Sequence, residues 1–449
     1  METGAGGASL TERRRMDTTG TGGRAITAIE PFRGLRYDPR VVNPDDVIAP
    51  PYDVVTDEDV RALRGHSPYN IAHVETPGVG EAAYRDAAEA LRRWQAAGVL
   101  CRDETPAYYA YEQRFSLHGA THVRRCFFAR LRLHEPDEGI VRPHEATMSG
   151  PVEDRLNLLR ATRTNVSPIF AMFEDTARQA QAVLEDADRR EPAFEATEEN
   201  GDRHRLWVVD GPEVTRALTD ALAASNVTIA DGHHRYRTAL TYRREDTSEA
   251  AQWVLAGMVP VDDPGLLVLP NHRLVKADAV PADFLARLSE LYDIVALAPE
   301  PWGGAAVRRT WEEASKAGGG TTFGVLGIEP GRLHVLTARS AEDVDRAMPQ
   351  HWSPALRALD VTILTQTVLA PRLGIDQVAL VAGERVAFTE EVEEAWRQVE
   401  AGRYRLAFLI NPVRVAQIIA VADAGEVMPQ KATFFYPKLR TGMVLNPLD

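Results

Sequence analysis

The feature that most constrains the fold is the motif Asp231-Gly232-His233-His234-Arg235, where an apolar β-prone run stops and a helical pattern begins. A strand, a tight turn and a helix N-terminus in succession form a natural anion site, because the first N–H groups of a helix lack partners within it. The glycine lets the backbone approach a ligand, the arginine offers a planar fork for phosphate oxygens, and the histidines add donors. The motif therefore predicts a phosphate-binding turn, although an ordinary capped loop with a solvated first turn has the same pattern.

Length and charge narrow the classes of protein. A chain of 449 residues suggests two or three domains, or one domain with a large insertion. Its 65 acidic and 51 basic residues give a net charge of −14, which argues against a surface that coats nucleic acid and favours an enzyme acting on a small ligand. Cys101 and Cys126 have no partners at zinc-ligand spacing and are expected to be free. No run of about 18 apolar residues occurs, so a cytoplasmic protein without a membrane span is expected.

The pattern along the chain predicts four parts. Residues 1–24 are rich in Gly, Thr and Arg without an apolar stretch, which indicates a disordered N-terminal extension and no signal peptide. Residues 25–275 contain most of the polar motifs and are expected to form the core domain. Residues 276–400 show little visible chemistry and are expected to form an α/β subdomain, and residues 401–449 to return to the core.

A second polar tract lies near the N-terminus. Pro50 and Pro51 fix an extended or turned backbone that presents Tyr52 and Asp53. Thr56 then has the pattern of a helix N-cap. Asp53 is either a catalytic carboxylate or a turn residue that binds its own backbone.

Local patterns predict several elements between the motifs. Residues 67–71 lead into a predicted short strand, and residues 81–97 have the periodicity of an amphipathic helix. Residues 107–133 alternate as a β-hairpin that turns at His118-Gly119. Its tyrosines could stack on a nucleobase, but packing within a sheet is the commoner role of such a stripe.

A third polar cluster spans residues 142–155 and includes His144, Glu145 and Arg155 among turn-forming Gly and Pro. A His–Glu pair beside Arg and Asp can perform acid–base chemistry and hold a phosphate or a magnesium ion. A salt-linked surface loop is the alternative, since charge clusters usually have that role.

Three further candidates lie towards the C-terminus. His272 ends an apolar run and faces either the same pocket or an exposed exit from a strand. Lys431 and Lys438 lie in a closing tract of aromatic residues and prolines. They reach a phosphate as point charges or belong to a fixed C-terminal tail.

Common nucleotide and hydrolase signatures do not occur in the sequence. It contains no Walker A motif, no kinase loop set, no Gly-x-Ser-x-Gly elbow and no Gly-x-Gly-x-x-Gly at the end of a predicted strand. The usual folds that carry those motifs are therefore disfavoured.

These tracts together resemble the bacterial and archaeal family known as domain of unknown function 1015. The stretches that carry the resemblance are Pro31-Phe32-Arg33-Gly34-Leu35-Arg36-Tyr37, Ile48-Ala49-Pro50-Pro51-Tyr52-Asp53, Pro143-His144-Glu145, Gly150-Pro151 with Asp154-Arg155-Leu156, Asn165 with Ser167-Pro168-Ile169-Phe170, Ala230-Asp231-Gly232-His233-His234-Arg235-Tyr236, Gln430-Lys431 and Tyr436-Pro437-Lys438-Leu439. The chain departs from the family pattern at Val152, where a lysine commonly follows Gly-Pro, so any phosphate contact from that position is lost.

The motif at residues 231–235 is also similar to the phosphate-binding turn of the ParB/sulfiredoxin-like superfamily, which includes CTP-binding partition proteins, sulfiredoxin and ADP-dependent free-serine kinases. This resemblance implies an α+β fold of mixed α/β type, with a nucleotide-binding core and an inserted or appended α/β subdomain. Sulfiredoxin chemistry is disfavoured, because the turn has His233 and no cysteine where the nucleophile of sulfiredoxin would lie.

The resemblance also implies roles for the candidate residues. The implied catalytic residues are Glu145, Asp53 and His144. The implied phosphate- or nucleotide-binding residues are Asp231, Gly232, His233, His234, Arg235, Arg155, Lys431 and Lys438. The implied substrate-binding residues are Tyr52, Asn165 and His272. The implied cofactors are ATP or ADP with Mg²⁺, whereas the sequence leaves any metal ligands unknown.

Two functions follow from this resemblance. The first is nucleotide-dependent phosphoryl transfer on a small hydroxy-amino acid, as in a free serine kinase, or the reverse dephosphorylation of phosphoserine. The second is a nucleotide-binding regulatory or partition-like module that does not turn over a small substrate. The expected partners are a nucleotide and an amino acid or phospho-amino acid; a membrane is not expected, nucleic acid is disfavoured and a homodimer is left open.

Overall fold

The computed structural model describes residues 27–145, 149–223, 225–277 and 279–449. The predicted N-terminal extension and the loop residues Ala146, Thr147 and Met148 lie outside these ranges.

Strands and helices are interspersed along the described chain, and the predicted mixed α/β class is confirmed. The strands are β1 Ile29–Glu30, β2 Leu35–Tyr37, β3 Leu100–Arg102, β4 Tyr108–Leu117, β5 Ala120–Arg132, β6 Val141–Pro143, β7 Thr164–Asn165, β8 Ile169–Phe173, β9 Phe194–Thr197, β10 Arg203–Val209, β11 Val227–Asp231, β12 Trp253–Pro260, β13 Leu267–Leu269, β14 His272–Val275, β15 Tyr292–Leu297, β16 Thr322–Leu326, β17 Leu333–Ala338, β18 Val386–Thr389, β19 Leu406–Leu409, β20 Phe434–Tyr436 and β21 Asn446–Pro447. The helices are α1 Asp57–His66, α2 Ala72–Glu75, α3 Glu81–Ala96, α4 Ser149–Thr162, α5 Gln179–Ala187, α6 Pro212–Ala223, α7 His233–Glu245, α8 Phe284–Leu288, α9 Gly304–Ala317, α10 Ala341–Ala347, α11 Pro354–Arg357, α12 Asp360–Leu364, α13 Ala370–Leu373, α14 Gln377–Ala382, α15 Val392–Glu400 and α16 Val415–Asp423.

The first sheet has the strand order β6-β11-β8-β12-β5-β4-β10-β9, with β1 paired to β5. Its centre is the antiparallel hairpin of β4 and β5, as the alternation of residues 107–133 predicted. Strand β12 runs parallel to β8, and β11 runs parallel to β6 and antiparallel to β8. The carboxyl ends of β6 and β11 therefore lie side by side, which brings the loop after β6 close to the start of α7.

The second sheet has the order β15-β17-β16-β19-β14-β18, and each of these neighbouring pairs is antiparallel. Two of its strands fall across the domain boundaries expected from the sequence. Strand β14 precedes residue 276, and β19 follows residue 400. The second sheet therefore includes one strand from just before the predicted subdomain, residues 276–400, and one strand from just after it.

The C-terminal segment packs against residues that precede position 276. Strand β20 pairs with β13, and β21 pairs with β7. Isolated backbone bridges link Glu145 to Met428 and Ala49 to Thr441. These contacts bring the closing lysine tract next to the loop after β6 and the paired-proline tract.

Local side-chain chemistry explains several element boundaries. The hydroxyl of Thr56 accepts from the backbone N–H of Asp59, and the Asp59 carboxylate accepts in return from Thr56, so the predicted N-cap is a full capping box. The strand expected after residues 67–71 is wrong. Asn70 accepts from the backbone N–H of Ala72 at 2.9 Å, and this bond starts the short helix α2.

The core lies on both faces of the first sheet, and aromatic residues fill much of it. Tyr108, Tyr109 and Tyr111 are at most 1% exposed, so the tyrosine stripe packs within the protein and does not present faces to a base. Cys101 and Cys126 are both free thiols. No helix in the described ranges is long and apolar enough to cross a membrane.

Candidate functional site

A cavity of about 840 Å³ lies where the β11–α7 turn, the loop after β6, the paired-proline tract, β18 and the C-terminal segment meet. Its volume is in the range of pockets that hold small molecules. Nine of the residues singled out from the sequence line it: Tyr52, Asp53, Glu145, Asp231, Gly232, His233, His234, Lys431 and Lys438. Residues up to 386 positions apart in the chain thus share one cavity (52 to 438).

Asp231 at the end of β11 is held between two cations. Its Oδ1 accepts from Lys438 Nζ at 2.5 Å, and its Oδ2 accepts from Arg235 Nη2 at 2.7 Å. Burial alone would raise the pKa of Asp231, but the two cations hold that pKa well below its usual range. The Arg235 guanidinium also lies 4.0 Å from the Asp53 carboxylate, so two carboxylates and two cations form one ion-paired network at this wall of the cavity.

Gly232 makes the turn possible. It has φ 84°, a left-handed conformation, and a Cβ there would lie 3.0 Å from Arg235 Cζ. As the N-cap of α7, it has no side chain to accept from the helix, and the first helical bond runs from Tyr236 N–H to the Gly232 carbonyl at 2.9 Å. His233 and His234, in the first turn of α7, line the cavity, so the positive end of the helix faces it.

Glu145 follows β6 and is partly buried in the cavity wall. Its Oε1 accepts from the backbone N–H of Lys431 at 3.2 Å. Lys431 itself has φ 58°, so the C-terminal segment makes a tight left-handed bend at this contact. Burial raises the pKa of Glu145 to about 7, and the Lys431 contact lowers it only in part. A carboxyl group with this pKa exchanges its proton near neutral pH.

His144 and His233 form a neutral pair in which His233 lines the cavity and His144 lies behind it. Their ring centroids are 4.5 Å apart in an edge arrangement, and the His144 backbone N–H donates to His233 Nε2 at 3.3 Å. Burial lowers the pKa of His144 to about 4 and that of His233 well below its usual value. His144 Nδ1 bonds to the Ile229 carbonyl, and its Nε2 bonds to Thr433 Oγ1 at 3.0 Å, so this ring ties β11 to the C-terminal segment.

Five of the candidate residues do not line the cavity: His144, Arg155, Asn165, Arg235 and His272. Each is engaged elsewhere. Arg235 donates to the Pro168 carbonyl and to Asp231 Oδ2, and its guanidinium lies 4.0 Å from the Asp53 carboxylate, so its contacts are with protein groups that support the turn. Arg235 is in the first turn of α7, and its side chain folds back past Gly232 to Asp231, the last residue of β11.

Arg155 and Asn165 have structural partners. The Arg155 guanidinium lies 4.2 Å from the centre of the Tyr52 ring and donates to the Glu75 carbonyl at 2.6 Å, so it orients Tyr52 from behind. Asn165 Oδ1 accepts from the backbone N–H of Leu255 at 3.0 Å and from the Asn446 amide at 2.9 Å, which joins β12 to β21. Neither residue reaches the cavity from this position.

His272 is also outside the cavity, because strand side chains alternate between the two faces of a sheet. Its Nδ1 accepts from the backbone N–H of Ile410 at 3.2 Å within the second sheet, and burial lowers its pKa to about 3. Asn271 next to it lines the cavity. The Asn271 amide donates to the carbonyls of Lys431 and Thr433 at 3.1 and 3.2 Å, and fixes the C-terminal segment.

The cavity also contains residues that the sequence reading missed. Phe388 and Glu390 come from β18 and the residue after its end, in the segment that showed little chemistry, and Phe434 comes from β20. Lys438 Nζ lies 4.6 Å from the centre of the Phe434 ring, and the Arg273 guanidinium lies 5.4 Å from that of Phe388. The aromatic content of the Phe434 tract was visible in the sequence, but nothing local marked Phe388.

A buried pair of side chains positions Lys438. Gln113 on β4 donates to the Lys438 carbonyl at 3.0 Å. Arg124 on β5 is 0% exposed and donates to the Gln113 amide oxygen and to the carbonyls of Tyr436 and Pro437. The central hairpin thus holds the backbone on which the cavity lysine is mounted.

The residues do not provide a ready-made metal cage. Within the described ranges, no group of three or more His, Cys, Asp or Glu side chains is arranged to hold a metal ion. Mg²⁺ in nucleotide enzymes commonly takes one or two carboxylates with phosphate oxygens and water. Four carboxylates line the cavity, Asp53, Glu145, Asp231 and Glu390, so the residues present fit that smaller contribution.

The fold and cavity define a mixed α/β protein with a polar cavity between its two sheets and its C-terminal segment. The chain belongs to the family described as protein of unknown function (DUF1015), whose model matches residues 29–362. No curated protein matches the sequence.

Several solved structures are similar over most of the chain. A free serine kinase in complex with AMP is 13% identical and covers 69% of this chain and 86% of its own, with a TM-score of 0.33. A conserved hypothetical protein from Pyrococcus furiosus is 13% identical, with 70% and 93% coverage and a TM-score of 0.34. SbnI with a C-terminal truncation, from Staphylococcus aureus, is 10% identical, with 72% and 87% coverage and a TM-score of 0.34.

Proposed function

We propose that this protein transfers a phosphoryl group between a nucleotide and the hydroxyl of a small polar substrate. The observation that carries the proposal is the cavity itself. A carboxyl with a pKa of about 7, Glu145, shares it with the N-terminal turn of α7 and with Lys431 and Lys438. An acid–base group and an anion-binding wall in one cavity are the two parts that phosphoryl transfer requires.

The phosphate end of the cavity is the start of α7. Gly232 keeps the helix N-terminus free of a Cβ, and the helix dipole favours an anion there. Asp231 does not repel the phosphate, because Lys438 and Arg235 already balance its charge. Lys431 is exposed and adds a further positive charge.

Glu145 is the group to which we assign the proton transfer. As the hydroxyl oxygen forms its bond to phosphorus, the bond from phosphorus to the nucleotide's leaving oxygen breaks, and the hydroxyl proton passes to the Glu145 carboxylate. A general base is most effective when its pKa is near the working pH. In the reverse direction the protonated Glu145 returns the proton to the departing hydroxyl.

The other wall suits the nucleoside and the substrate. Phe388 and Phe434 supply aromatic surface against which a base can pack. Asp53, which is 33% exposed, offers a carboxylate for a substrate ammonium group. The finer assignment, free serine or phosphoserine as the substrate, rests on the sequence resemblance to free-serine kinases.

Mg²⁺ would enter with the nucleotide. The ion would neutralise charge on the phosphates. Four carboxylates line the cavity: Asp53, Glu145, Asp231 and Glu390. Asp231 is engaged by Lys438 and Arg235, Glu145 is the proposed base and Asp53 is assigned to the substrate ammonium group, so Glu390 would be the carboxylate that holds the ion.

The test combines binding and turnover in purified protein with Mg²⁺, ATP or ADP, and serine or phosphoserine. We expect turnover that requires the amino acid, and nucleotide binding roughly tenfold weaker in Lys431→Met because one charged phosphate contact is removed. Lys316→Met, an exposed lysine on α9 away from the cavity, is the matched control and should bind like the wild type.

The outcomes separate the alternatives. Nucleotide binding that depends on Lys431 without turnover would favour the nucleotide-binding regulatory module over the phosphoryl-transfer enzyme. Absence of both binding and turnover would exclude the nucleotide cavity altogether.

A further inference from the structure

A second cavity lies at the opposite end of two strands that reach the first one. Strands β14 and β18 pair antiparallel, with Asn271 and Phe388 lining the first cavity at one end. Lys276 after β14 and Arg385 before β18 line the second cavity at the other end. Four residues of strand span about 13 Å, so the two cavities are separate sites on one sheet.

The second cavity gathers positive charge. It has a volume of about 580 Å³, and four cations line it: Lys276, Arg385, Arg403 and Arg405. They come from three segments of the chain, and the described residues of the lining include no carboxylate. The chain as a whole has a net charge of −14, so this concentration of cations runs against its composition.

Among the residues that the structure describes, no carboxylate is paired with any of the four cations. Arginines elsewhere are commonly ion-paired, as Arg308 is with Glu312 and Glu393. In the part of the chain that the structure describes, none of the four cavity cations is within ion-pair distance of a carboxylate. Within the described ranges, Arg385 donates to the carbonyls of Leu373 and Gly374, at 3.1 and 3.3 Å, and these bonds hold it without cancelling its charge.

The cavity has a built floor. Gly327 has φ 92°, and a Cβ there would collide with the Arg405 carbonyl, so the loop after β16 packs directly on the segment before β19. The half-buried Tyr404 packs against the core of the second sheet, and Lys276 Nζ lies 5.6 Å from the centre of its ring. The backbone N–H of Lys276 donates to the Arg385 carbonyl at 2.8 Å, which fixes two of the cations relative to each other.

We propose that this second cavity binds a small molecule with two or more phosphate groups. Several cations around one concave volume match an oligophosphate or bisphosphate, and the guanidinium fork matches phosphate oxygens in pairs. The concave shape and the acidic remainder of the chain favour a compact ligand over the extended backbone of a nucleic acid. This site does not depend on the phosphoryl-transfer proposal, since it shares no lining residue with the first cavity.

The probe is inorganic pyrophosphate, titrated by calorimetry into the full chain. The test variant is Arg403→Gln with Arg405→Gln, and its matched control is Lys316→Gln with Arg332→Gln, two exposed cations of the same half of the chain that line neither cavity. Losing two charged contacts should weaken the binding at this site at least ~10-fold, after allowing for solvent screening. The control pair should leave it unchanged.

The same titration of Lys431→Met, which removes a cation of the first cavity, shows whether pyrophosphate also binds there. Pyrophosphate binding that survives in Lys431→Met and is lost in the Arg403 and Arg405 variant supports the proposal. It is overturned by an absence of binding, by equal loss in the control pair, or by loss only in Lys431→Met. Tighter binding of a single-stranded oligonucleotide than of pyrophosphate, lost in the same arginine variant, also overturns it in favour of nucleic acid. Thermal melting of each variant checks that the exposed substitutions leave the fold intact.

Discussion

The raised pKa of Glu145 has a consequence for stability that can be measured without a substrate. In the folded protein burial raises this pKa from 4.5 to about 7, whereas in the unfolded chain the carboxyl has its ordinary value. Between those two values the folded protein keeps a proton that the unfolded chain releases. The folded state is therefore favoured below the ordinary pKa and loses this advantage as the pH rises through about 7.

The size of the effect follows from the same two values. They differ by about 2.5, and at about 1.4 kcal/mol for each pKa unit the upper limit is about 3 kcal/mol. Glu145 is only partly buried, so solvent screening lowers the expected effect to about 1–2 kcal/mol. A glutamine has no proton to release, and Glu145→Gln should remove this part of the pH dependence.

The assay is urea unfolding of the wild type, Glu145→Gln and Glu58→Gln at pH 5, 6, 7 and 8, followed by tryptophan fluorescence and circular dichroism. Glu58 is exposed on α1 and serves as the control for loss of one carboxyl. Between pH 5 and pH 8, the free energy of unfolding of Glu145→Gln should rise by about 1–2 kcal/mol relative to that of the wild type. The free energy of unfolding of Glu58→Gln should change with pH as that of the wild type does. Parallel curves for Glu145→Gln would show that the carboxyl titrates normally and would refute the reasoning.

Two further predictions concern the turn. Lys438→Met leaves Asp231 with one cation and should cost about 2 kcal/mol of unfolding free energy at pH 7, against less than about 0.5 kcal/mol for the exposed Lys431→Met. Because the pKa of Asp231 is lowered from 3.8 in the fold, the cost should shrink below about pH 4; a cost independent of pH would contradict the ion pair. Gly232→Ala should lower the melting temperature more than Gly331→Ala, since both have positive φ but only the first would press a Cβ on a guanidinium; equal shifts would contradict the close packing.

Local chemistry made part of the site predictable. The strand, glycine turn and helix around Gly232 form from neighbouring residues, and the capping box of Thr56 is equally local. The pairing of Arg235 with Asp231 is also local, because the side chain of a residue in the first turn of α7 reaches back past Gly232 to the end of β11.

The remainder depends on contacts between distant segments. Nothing near Phe388 in the sequence shows that β18 pairs with β14 and so reaches the cavity. The same holds for the Arg124–Gln113 pair, whose partners are more than 300 residues away. His144 was chosen as a catalytic residue from its neighbours in the chain, whereas burial makes it a neutral link between β11 and the C-terminal segment.

The most direct test of the proposed chemistry compares nucleotide affinity and kcat in the wild type and Glu145→Gln. The substitution keeps the size of the side chain and leaves the start of α7, Lys431 and Lys438 in place. We expect nucleotide affinity within about threefold of the wild type and a loss of at least ~100-fold in kcat, because the proton acceptor is gone. A Glu145→Gln protein that turns over like the wild type would show that Glu145 is not the base.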